Sequence, residues 1–443
     1  MNPTVASQPR VTVPRRLGLG LVTALCICGF VLTGFATAQT DPNTSGSIEV
    51  WAWPGAEGPL KALVPSFNEK YPNIEVNVTT LGFADVHTKL LAALSSGVGA
   101  PDVSGLADAN VIKFGDTGGL EDVGERFAPY ADTIMPFKRS FVTGSDGEVW
   151  GVPWDAGPSA VFYNREIFER YGISPDDITT WDGYIAAGKK IVEASGGDVL
   201  KLPARPEQAR FLWEMIALQQ GAGLFKDDLS LNVESEAFQT ACAITKDIFD
   251  AGVTGDVPMF EDAWNDGFNN GTWASIPLAV WVRGVLRDNA PDQTGFRVTH
   301  WPSITEGGNY AVQGFDFGSA LVVPSQSENK DLAWAFVEYA ELTPEGQLIQ
   351  YTQGDLFPSM VTPDVLEAPI FSKPDPYFGG QPAREVFADA NAKFDFSVGV
   401  HPDYAEAQNI LEQNLAGAFE GRASCEEALA AAAREISSKL RLN

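Results

Sequence analysis

The sequence contains few of the residues that bind metals or nucleic acids. Its 443 residues include 4 Cys and 3 His, and His87, His300 and His401 lie far apart along the chain. No spacing typical of a Cys/His metal site occurs, so we expect neither a metal nor another cofactor. Basic residues are scarce, with 30 Lys and Arg against 58 Asp and Glu. This balance argues against binding to nucleic acid or to an anionic membrane surface, which both require basic patches.

Sequence motifs of the common catalytic sites are also missing. The chain has no G-x-S-x-G nucleophile elbow, no H-E-x-x-H zinc motif and no phosphate-binding loop. We therefore expect a protein that is not an enzyme.

The first 38 residues differ in kind from the rest. Arg10, Arg15 and Arg16 precede an apolar run over 17–35, and Ala36-Thr37-Ala38 follows it. A basic start, an apolar segment and small residues before the cut describe a secretory signal peptide, so we predict cleavage after Ala38. A membrane anchor is the alternative, because the apolar run is long enough to span a bilayer. Residues 39–47 are predicted to form a polar linker, and we expect a periplasmic protein.

Two cysteines, Cys242 and Cys425, remain after the predicted cleavage. In an oxidising compartment such a pair is able to form a disulfide. Both lie in Ala-rich helical sequence, so two buried free thiols are an equal alternative.

The first hundred residues after the linker predict a β-α-β-α-β order. Alternating strands over 48–53 and 73–80 and a short third strand from Asp102 are separated by amphipathic helices over 60–70 and 85–96. This order predicts a largely parallel sheet, and ligands bind beyond the carboxyl ends of such strands. Residues 107–110 are predicted to be a loop at that edge. The candidate ligand-binding residues there are Trp53, Glu57 and either Asp108 or Asn110.

A second candidate site lies in GVPWDAGPSAVFYNREIF, residues 151–168. Trp154 and Asp155 occupy a Gly/Pro-rich turn before a short strand, and Asn164 is placed to cap a helix that begins near Arg165. An aromatic face beside a carboxylate suits a sugar, because the C–H groups of the sugar ring stack on the aromatic ring and its hydroxyls donate to the carboxylate. A core Trp beside a turn-forming Asp is the alternative.

These pieces resemble a known family when they are taken in order. The resemblance depends on the segments IEVWAWPG, YPNIEV, KLLAALSSGVGAPDV, GGLEDV, GVPWDAGPSAVFYNREIF, FNNGTWASIPLAVW, GSALVVPSQSENKDLAWAFVEYAELTPEGQ and FPS. Together they resemble the extracellular solute-binding proteins of carbohydrate-uptake ABC transporters, the family that includes maltose- and trehalose-binding proteins. The match extends over nearly the whole chain after residue 47.

The resemblance implies an α/β protein with the two-lobe periplasmic-binding-protein fold. Residues 48–153 and 311–354 would form the N-terminal lobe, and residues 154–310 and 355–443 the C-terminal lobe, with hinge crossings between them. A mono- or oligosaccharide would be held in the cleft and delivered to permease subunits in the inner membrane by a monomeric protein. The alternatives are a secreted glycoside-processing enzyme and a binding protein for glycerol-3-phosphate or a polyol.

The resemblance also implies further ligand-binding residues. Trp281 falls where maltose-type proteins carry a stacking Trp, and Phe315 falls at a family aromatic on the returning hinge strand. Arg283 is two residues from Trp281 on a predicted strand over 275–282, so it would share the same face and donate to hydroxyls. Asp316 would be costly to bury without a partner such as a sugar hydroxyl pair or an Arg.

Overall fold

The computed structural model describes residues 40–314 and 318–442. The predicted β-α-β-α-β order is confirmed in the first part of the chain. The elements there are β1 (Gly46–Ala52), α1 (Glu57–Lys70), β2 (Ile74–Thr80), α2 (Phe83–Ser96), β3 (Val103–Ala107), α3 (Asp108–Asp116), α4 (Gly124–Phe127), α5 (Pro136–Ser140) and β4 (Val152–Pro153).

The middle of the chain alternates short strands with longer helices. Asn164 accepts hydrogen bonds from the backbone N–H groups of Glu166 and Ile167 at 3.0 and 3.2 Å, which confirms the predicted helix cap. The elements are β5 (Asp155–Ala156), β6 (Ser159–Asn164), α6 (Arg165–Arg170), α7 (Trp181–Ser195), β7 (Leu202–Pro203), α8 (Arg210–Gln219), α9 (Glu236–Asp250), β8 (Thr254–Gly255), α10 (Asp262–Asn270), β9 (Ser275–Ala279), α11 (Val282–Asn289) and β10 (Phe296–His300).

The last part of the chain is mainly helical. Its elements are β11 (Ser319–Val322), α12 (Lys330–Glu341), α13 (Pro344–Gly354), β12 (Phe357–Pro358), α14 (Pro363–Leu366), α15 (Ala383–Lys393), α16 (Tyr404–Phe419) and α17 (Cys425–Leu440). None of the helices in the described part of the chain is both long enough and apolar enough to cross a membrane.

Two sheets organise the described residues. One has the order β2-β1-β3-β11-β4, in which β2, β1 and β3 run parallel and β11 is antiparallel to β3. The other is antiparallel with the order β10-β6-β9. Each sheet has its own apolar core. We call the first sheet with α1, α2, α12 and α13 the first lobe, and the second sheet with α6–α11 and α15–α17 the second lobe.

Three passages of the chain run along the boundary between the lobes: residues 153–159, which connect β4 to β6, the segment that connects β10 to β11, and residues 354–358. Met360 and Val365, which follow the last passage, still pack in the apolar core of the first lobe. Two of these passages pair with each other, because β5 is antiparallel to β12. Gly157 also donates its backbone N–H to Gln313 Oε1 at 2.9 Å. The passages are therefore hydrogen-bonded to one another beside the space between the lobes.

Two sequence predictions about element boundaries are wrong. The predicted loop over 107–110 is instead the end of β3 followed at once by α3, so Asp108 and Asn110 lie in the first turn of a helix. The predicted strand over 275–282 ends at Ala279, and α11 begins at Val282. An apolar run does not distinguish a buried strand from the start of a buried helix, which explains the second error.

The remaining cysteines are joined. Cys242 in α9 and Cys425 at the start of α17 form a disulfide, with Cα atoms 5.8 Å apart. Of the two alternatives that the sequence left open, the structure therefore has the disulfide, which connects the middle of the second lobe to its last helix.

Candidate functional site

A cavity of about 590 Å³ lies between the lobes. This volume is within the range of small-molecule sites. Both lobes supply its walls, and the passages between them supply its floor. The lining residues are Trp53, Pro54, Gly55, Ala56, Gly82, Phe83, Ala107, Asp155, Gly157, Phe260, Trp281, Val285, Gly318, Ser319, Gly354 and Leu356.

An aromatic pair forms the wall of the first lobe. Trp53 follows β1 and meets Phe83, the first residue of α2, edge to face with ring centroids 5.1 Å apart. His87 lies one turn further along α2, where its Nε2 accepts the backbone N–H of Ala107 at 3.0 Å and its ring stacks on Trp53. Phe83 is 48 % exposed. The pair therefore offers apolar ring surface to anything that enters the cavity.

A second aromatic pair faces it from the second lobe. Phe260 and Trp281 have ring centroids 5.6 Å apart, and Phe260 also contacts the buried Trp264 at 5.6 Å. Phe260 is 57 % exposed and has a φ of 68°, in the left-handed region that bulky residues avoid. An exposed aromatic ring on a strained backbone is typical of a ligand-binding position.

Asp155 supplies the charge at the floor. Of the described residues that line the cavity, it is the one with a charged side chain. Its Oδ1 accepts the backbone N–H and the hydroxyl of Ser319 at 2.8 and 2.6 Å. Burial raises the pKa of the Asp155 carboxyl, while nearby Lys138 and the Ser319 bonds oppose the rise. The carboxylate is thus fixed in direction and able to accept hydrogen bonds from a ligand.

Behind this floor lies a buried ion pair. Lys138 and Asp108 are each 0 % exposed, and Lys138 Nζ donates to Asp108 Oδ2 and, at 3.3 Å, to the carbonyl of Ser319. Asp108 was predicted as a candidate ligand contact. In the structure its side chain is directed to Lys138 beneath the cavity and does not line it. Asn110 is partly exposed on α3 but is not among the described lining residues.

Trp154 supports the cavity from behind. It is 2 % exposed, packs against Trp53 with ring centroids 5.5 Å apart and donates its Nε1–H to Gln350 at 2.6 Å. Gln350 also donates to Glu341, a residue whose carboxyl pKa is raised well above its usual value by burial. The predicted ring surface for sugar stacking is thus presented by Trp53 in front of it and not by Trp154.

Arg283 does not share a face with Trp281. Because α11 is a helix, the two positions are about 200° apart around its axis. Arg283 is 4 % exposed and pairs with Asp355 and Asp375 beneath the cavity wall. The strand-based argument for a ligand contact is therefore wrong.

The remaining predicted site residues are Glu57, Phe315 and Asp316. Glu57 is partly buried in the first turn of α1, beside cavity residues Gly55 and Ala56. Its Oε2 is buried and has no hydrogen-bond partner among the described residues. Phe315 and Asp316 lie outside the described residues.

Three residues of the site were not predicted. Phe83 and Phe260 begin or precede helices and look like ordinary apolar residues in the sequence, although the structure exposes both. Ser319 begins the apolar run SALVV, residues 319–323, where nothing in the sequence indicates a hydrogen bond to Asp155 across 164 positions. A large aromatic residue just before the predicted helix over 85–96, beside a predicted binding edge, is the signal that could have indicated Phe83.

Comparison with known proteins identifies similar chains over most of this length. The family profile described as bacterial extracellular solute-binding protein matches residues 62–377. An arabinooligosaccharide-binding protein of Halalkalibacterium halodurans is 27 % identical over 396 residues, which cover 86 % of each chain. A lactose-binding protein of Rhizobium radiobacter is 28 % identical over 81 % of this chain and 85 % of its own length.

Solved structures show the same architecture. An ABC-transporter-associated binding protein of Bifidobacterium animalis subsp. lactis, in complex with β-1,6-galactobiose, superimposes with a TM-score of 0.74 at 26 % identity, covering 90 % of this chain and 98 % of its own. The galacto-N-biose/lacto-N-biose I-binding protein of Bifidobacterium longum has a TM-score of 0.74 at 22 % identity, covering 90 % and 98 %, and supports the fold alone. The predicted two-lobe α/β fold is confirmed.

Proposed function

Because the chain belongs to the bacterial extracellular solute-binding proteins, we propose that it captures an uncharged mono- or oligosaccharide for an ABC transporter. The observation that carries this proposal is the cavity with opposed aromatic pairs and one fixed carboxylate. The relatives named for arabino-oligosaccharides and lactose, and the similar structure with bound β-1,6-galactobiose, support the same ligand class.

The site residues have separate roles in this proposal. Trp53 and Phe83 on one side and Phe260 and Trp281 on the other would stack on the apolar faces of sugar rings. Asp155 would accept hydroxyl protons in charge-assisted hydrogen bonds, each worth roughly 1.5–3 kcal/mol. Several such contacts suffice for a micromolar dissociation constant, about −8 kcal/mol, after the costs of association.

Capture depends on the passages between the lobes. A sugar that contacts both aromatic pairs binds the closed arrangement better than the open one, so its binding shifts the population toward closure. We propose that residues 48–153 and 311–354 move as one lobe and residues 154–310 and 355–443 as the other, except that Trp154, Met360 and Val365 pack in the first-lobe core and would move with it. The closed monomer would then dock on permease subunits of the inner membrane. Export by the segment 1–38, with cleavage after Ala38, would place it in the periplasm.

The enzyme alternative requires more carboxylates than the site offers. Most glycosidases need two carboxylic groups around the scissile bond, and Asp155 is the acidic residue among the described lining of this cavity. A glycerol-3-phosphate ligand would need cationic groups, and the lining residues that the structure describes carry no Lys or Arg. We therefore rank both alternatives below a neutral sugar.

The test is a thermal-shift screen of the mature protein followed by calorimetry. The panel contains arabino-oligosaccharides, lactose, β-1,6-galactobiose, maltose, a polyol, glycerol-3-phosphate and a uronate oligosaccharide. We expect a neutral sugar to raise the melting temperature and to be recovered unchanged by chromatography. Cleavage of the sugar, or a response confined to the anionic ligands, would overturn the proposal.

A further inference from the structure

Two segments alternate between lining the cavity and building a buried ion cluster. On α11, Val285 and the preceding Trp281 line the cavity, while Arg283 between them is buried behind the wall. At residues 354–356, Gly354 and Leu356 line the cavity, while Asp355 between them is 1 % exposed. The residues that do not line the cavity meet each other.

These buried residues form a compact set of four charges. Arg283 donates from Nη1 to Asp355 and, from Nε at 3.0 Å, to Asp375 Oδ2. Arg384 Nη2 lies 3.5 Å from Asp355 Oδ1, and its Nη1 lies 3.9 Å from Asp375 Oδ2. We call Arg283, Asp355, Asp375 and Arg384 the ion cluster. Within the cluster two positive and two negative groups balance one another, as buried charges must. The partly exposed Arg287 adds a further contact of 3.3 Å from its Nη1 to Asp355 Oδ2.

The position of Asp355 connects the lobes. It follows α13, which belongs to the first lobe, and it precedes β12, which pairs with β5 where the chain passes between the lobes. Arg283 and Arg384 lie on α11 and α15 of the second lobe. The ion cluster therefore fastens the end of a first-lobe helix to two helices of the second lobe.

The backbone at Asp355 is adapted to this position. Its φ is 58°, in the left-handed region, which Asp and Asn tolerate better than most residues do. Asn in this position keeps both the backbone preference and the side-chain shape while it removes the charge, and Gly keeps the backbone alone. These two substitutions separate the charge from the turn.

We infer that Arg283 and Asp355 are positioning residues for the ligand site, which hold the Trp281 wall in register with the passage at 354–356. This inference rests on the proposed function for its ligand readout, although its geometry does not. The ion cluster would fix the position of α11 beneath the cavity wall, so that the Trp281 ring has a single orientation when a sugar binds. Loss of either charge would unbalance the cluster. Without Asp355, Arg283 and Arg384 share Asp375 as the remaining acidic group of the cluster, and without Arg283, Asp355 keeps Arg384 and the partly exposed Arg287. α11 would then shift to let water reach the unbalanced groups.

The first experiment measures ligand affinity by calorimetry in wild type, Asp355→Asn, Asp355→Gly, Arg283→Met and the double variant Arg283→Met/Asp355→Asn. Coupled neighbours typically change an equilibrium by about 2- to 150-fold, and we expect each single variant to lose about tenfold in affinity. The double variant should bind more tightly than the two single losses predict, because it removes both members of a pair. A role in folding alone would leave the affinity of the folded fraction unchanged in all of these variants.

Asp403→Asn is the matched control. Lys113 in α3 and Asp403, directly before α16, also form an ion pair, at 2.8 Å, but their side chains are 50 % and 40 % exposed. Exposed pairs contribute little, so this variant should bind like wild type. Folded Asp355 and Arg283 variants with wild-type affinity, or a double variant whose loss is the simple sum, would overturn the inference.

The second experiment needs no ligand. Spin labels on Lys89→Cys in α2 and Asp288→Cys in α11, both exposed positions, report the distance across the cavity. We expect Asp355→Asn to shift or broaden this distribution and Asp403→Asn to leave it unchanged. An unchanged distribution in Asp355→Asn would refute the inference even if no sugar bound, whereas a wild type that binds no sugar would refute only the proposed function.

Discussion

Asp155 and Ser319 are joined by two hydrogen bonds that end on the same carboxylate oxygen, at 2.8 Å from the backbone N–H and 2.6 Å from the hydroxyl. The bonds connect two passages of the chain between the lobes. They also occupy Oδ1 and so leave the other carboxylate oxygen, Oδ2, as the natural acceptor for a ligand hydroxyl.

Replacing Asp155 by Asn should weaken sugar binding by roughly 10- to 150-fold, which corresponds to about 1.5–3 kcal/mol for a lost charge-assisted hydrogen bond. Calorimetry with the sugar found in the screen measures the change. Ser319→Ala provides the comparison, since it removes one orienting bond and keeps the charge, and it should lose less affinity. An Asp155→Asn protein with wild-type affinity would contradict the role of this carboxylate.

The pH dependence of binding follows from the same group. Burial raises the pKa of the Asp155 carboxyl above its usual 3.8, so affinity should fall as the pH is lowered, beginning above pH 3.8. The stability contribution has the opposite sign, because ionisation in the folded state is unfavourable: it is present below 3.8 and is lost as the pH rises through the folded pKa. Calorimetry and thermal melts between pH 4 and 8 separate the two effects, and Asp155→Asn should abolish both.

Trp281→Ala should reduce affinity by about 1–3 kcal/mol, because a buried aromatic platform is a typical binding hot spot. Trp150→Ala is the control. Trp150 is also partly buried and donates its Nε1–H to Asp116 at 3.2 Å, but it lies outside the described lining. We expect the control to lose stability but not affinity. If both variants bind as wild type does, the second-lobe wall does not contact the ligand.

Gly318→Ala should damage the floor of the cavity. Gly318 has a φ of +100°, and an added Cβ would overlap the carbonyl oxygen of Asp155 and lie 2.9 Å from Lys138 Nζ. Gly147 has a similar φ of +93° with nothing within 4 Å of its added Cβ. Gly147→Ala therefore measures backbone strain alone, about 1–2 kcal/mol. Chemical unfolding should show a larger loss for Gly318→Ala, and calorimetry should show a loss of affinity for that variant only.

Removing the disulfide by Cys242→Ala/Cys425→Ala should lower the free energy of unfolding by roughly 2–5 kcal/mol, because the bond closes a long loop in the unfolded chain. The two cysteines are separated by 183 positions. Urea titrations with and without reductant measure the effect, and reductant should change wild type but not the double variant. Equal stability of wild type in both conditions would show that the bond contributes little.

Much of the fold is already visible in the sequence. Alternating apolar residues locate β1 and β2, and the predicted helices over 60–70 and 85–96 end where α1 and α2 end, at Lys70 and Ser96, because their apolar faces and end signals agree. The prediction of a loop over 107–110 was wrong because α3 begins directly at the end of β3, and the sequence has no signal that distinguishes this junction from a loop. The prediction that Arg283 shares a face with Trp281 was wrong for a related reason. Side chains two residues apart lie on one face in a strand but not in a helix.

The site was predicted less completely than the fold. Trp53, Asp155 and Trp281 do come together at one cavity. Trp53 and Asp155 could be located from local patterns at the edge of the first sheet and in the passage after β4, whereas Trp281 was indicated by the family resemblance. Trp154 and Asp108 lie one layer behind that surface, and no local pattern separates the residue that lines a cavity from the one that supports it. Phe260 and Ser319 depend on contacts between distant parts of the chain, which a single sequence does not reveal.

The strand order of the first sheet constrains how the protein is made. β11 lies between β3 and β4, yet it is synthesised after β6, β9 and β10, which together complete the second sheet by residue 300. When the first three hundred residues of the nascent chain have been synthesised, all strands of the second sheet are present, but the first sheet still lacks its interior strand β11. Translation pauses before residue 319 would prolong the exposure of unpaired β3 and β4 edges, which are hazards for aggregation.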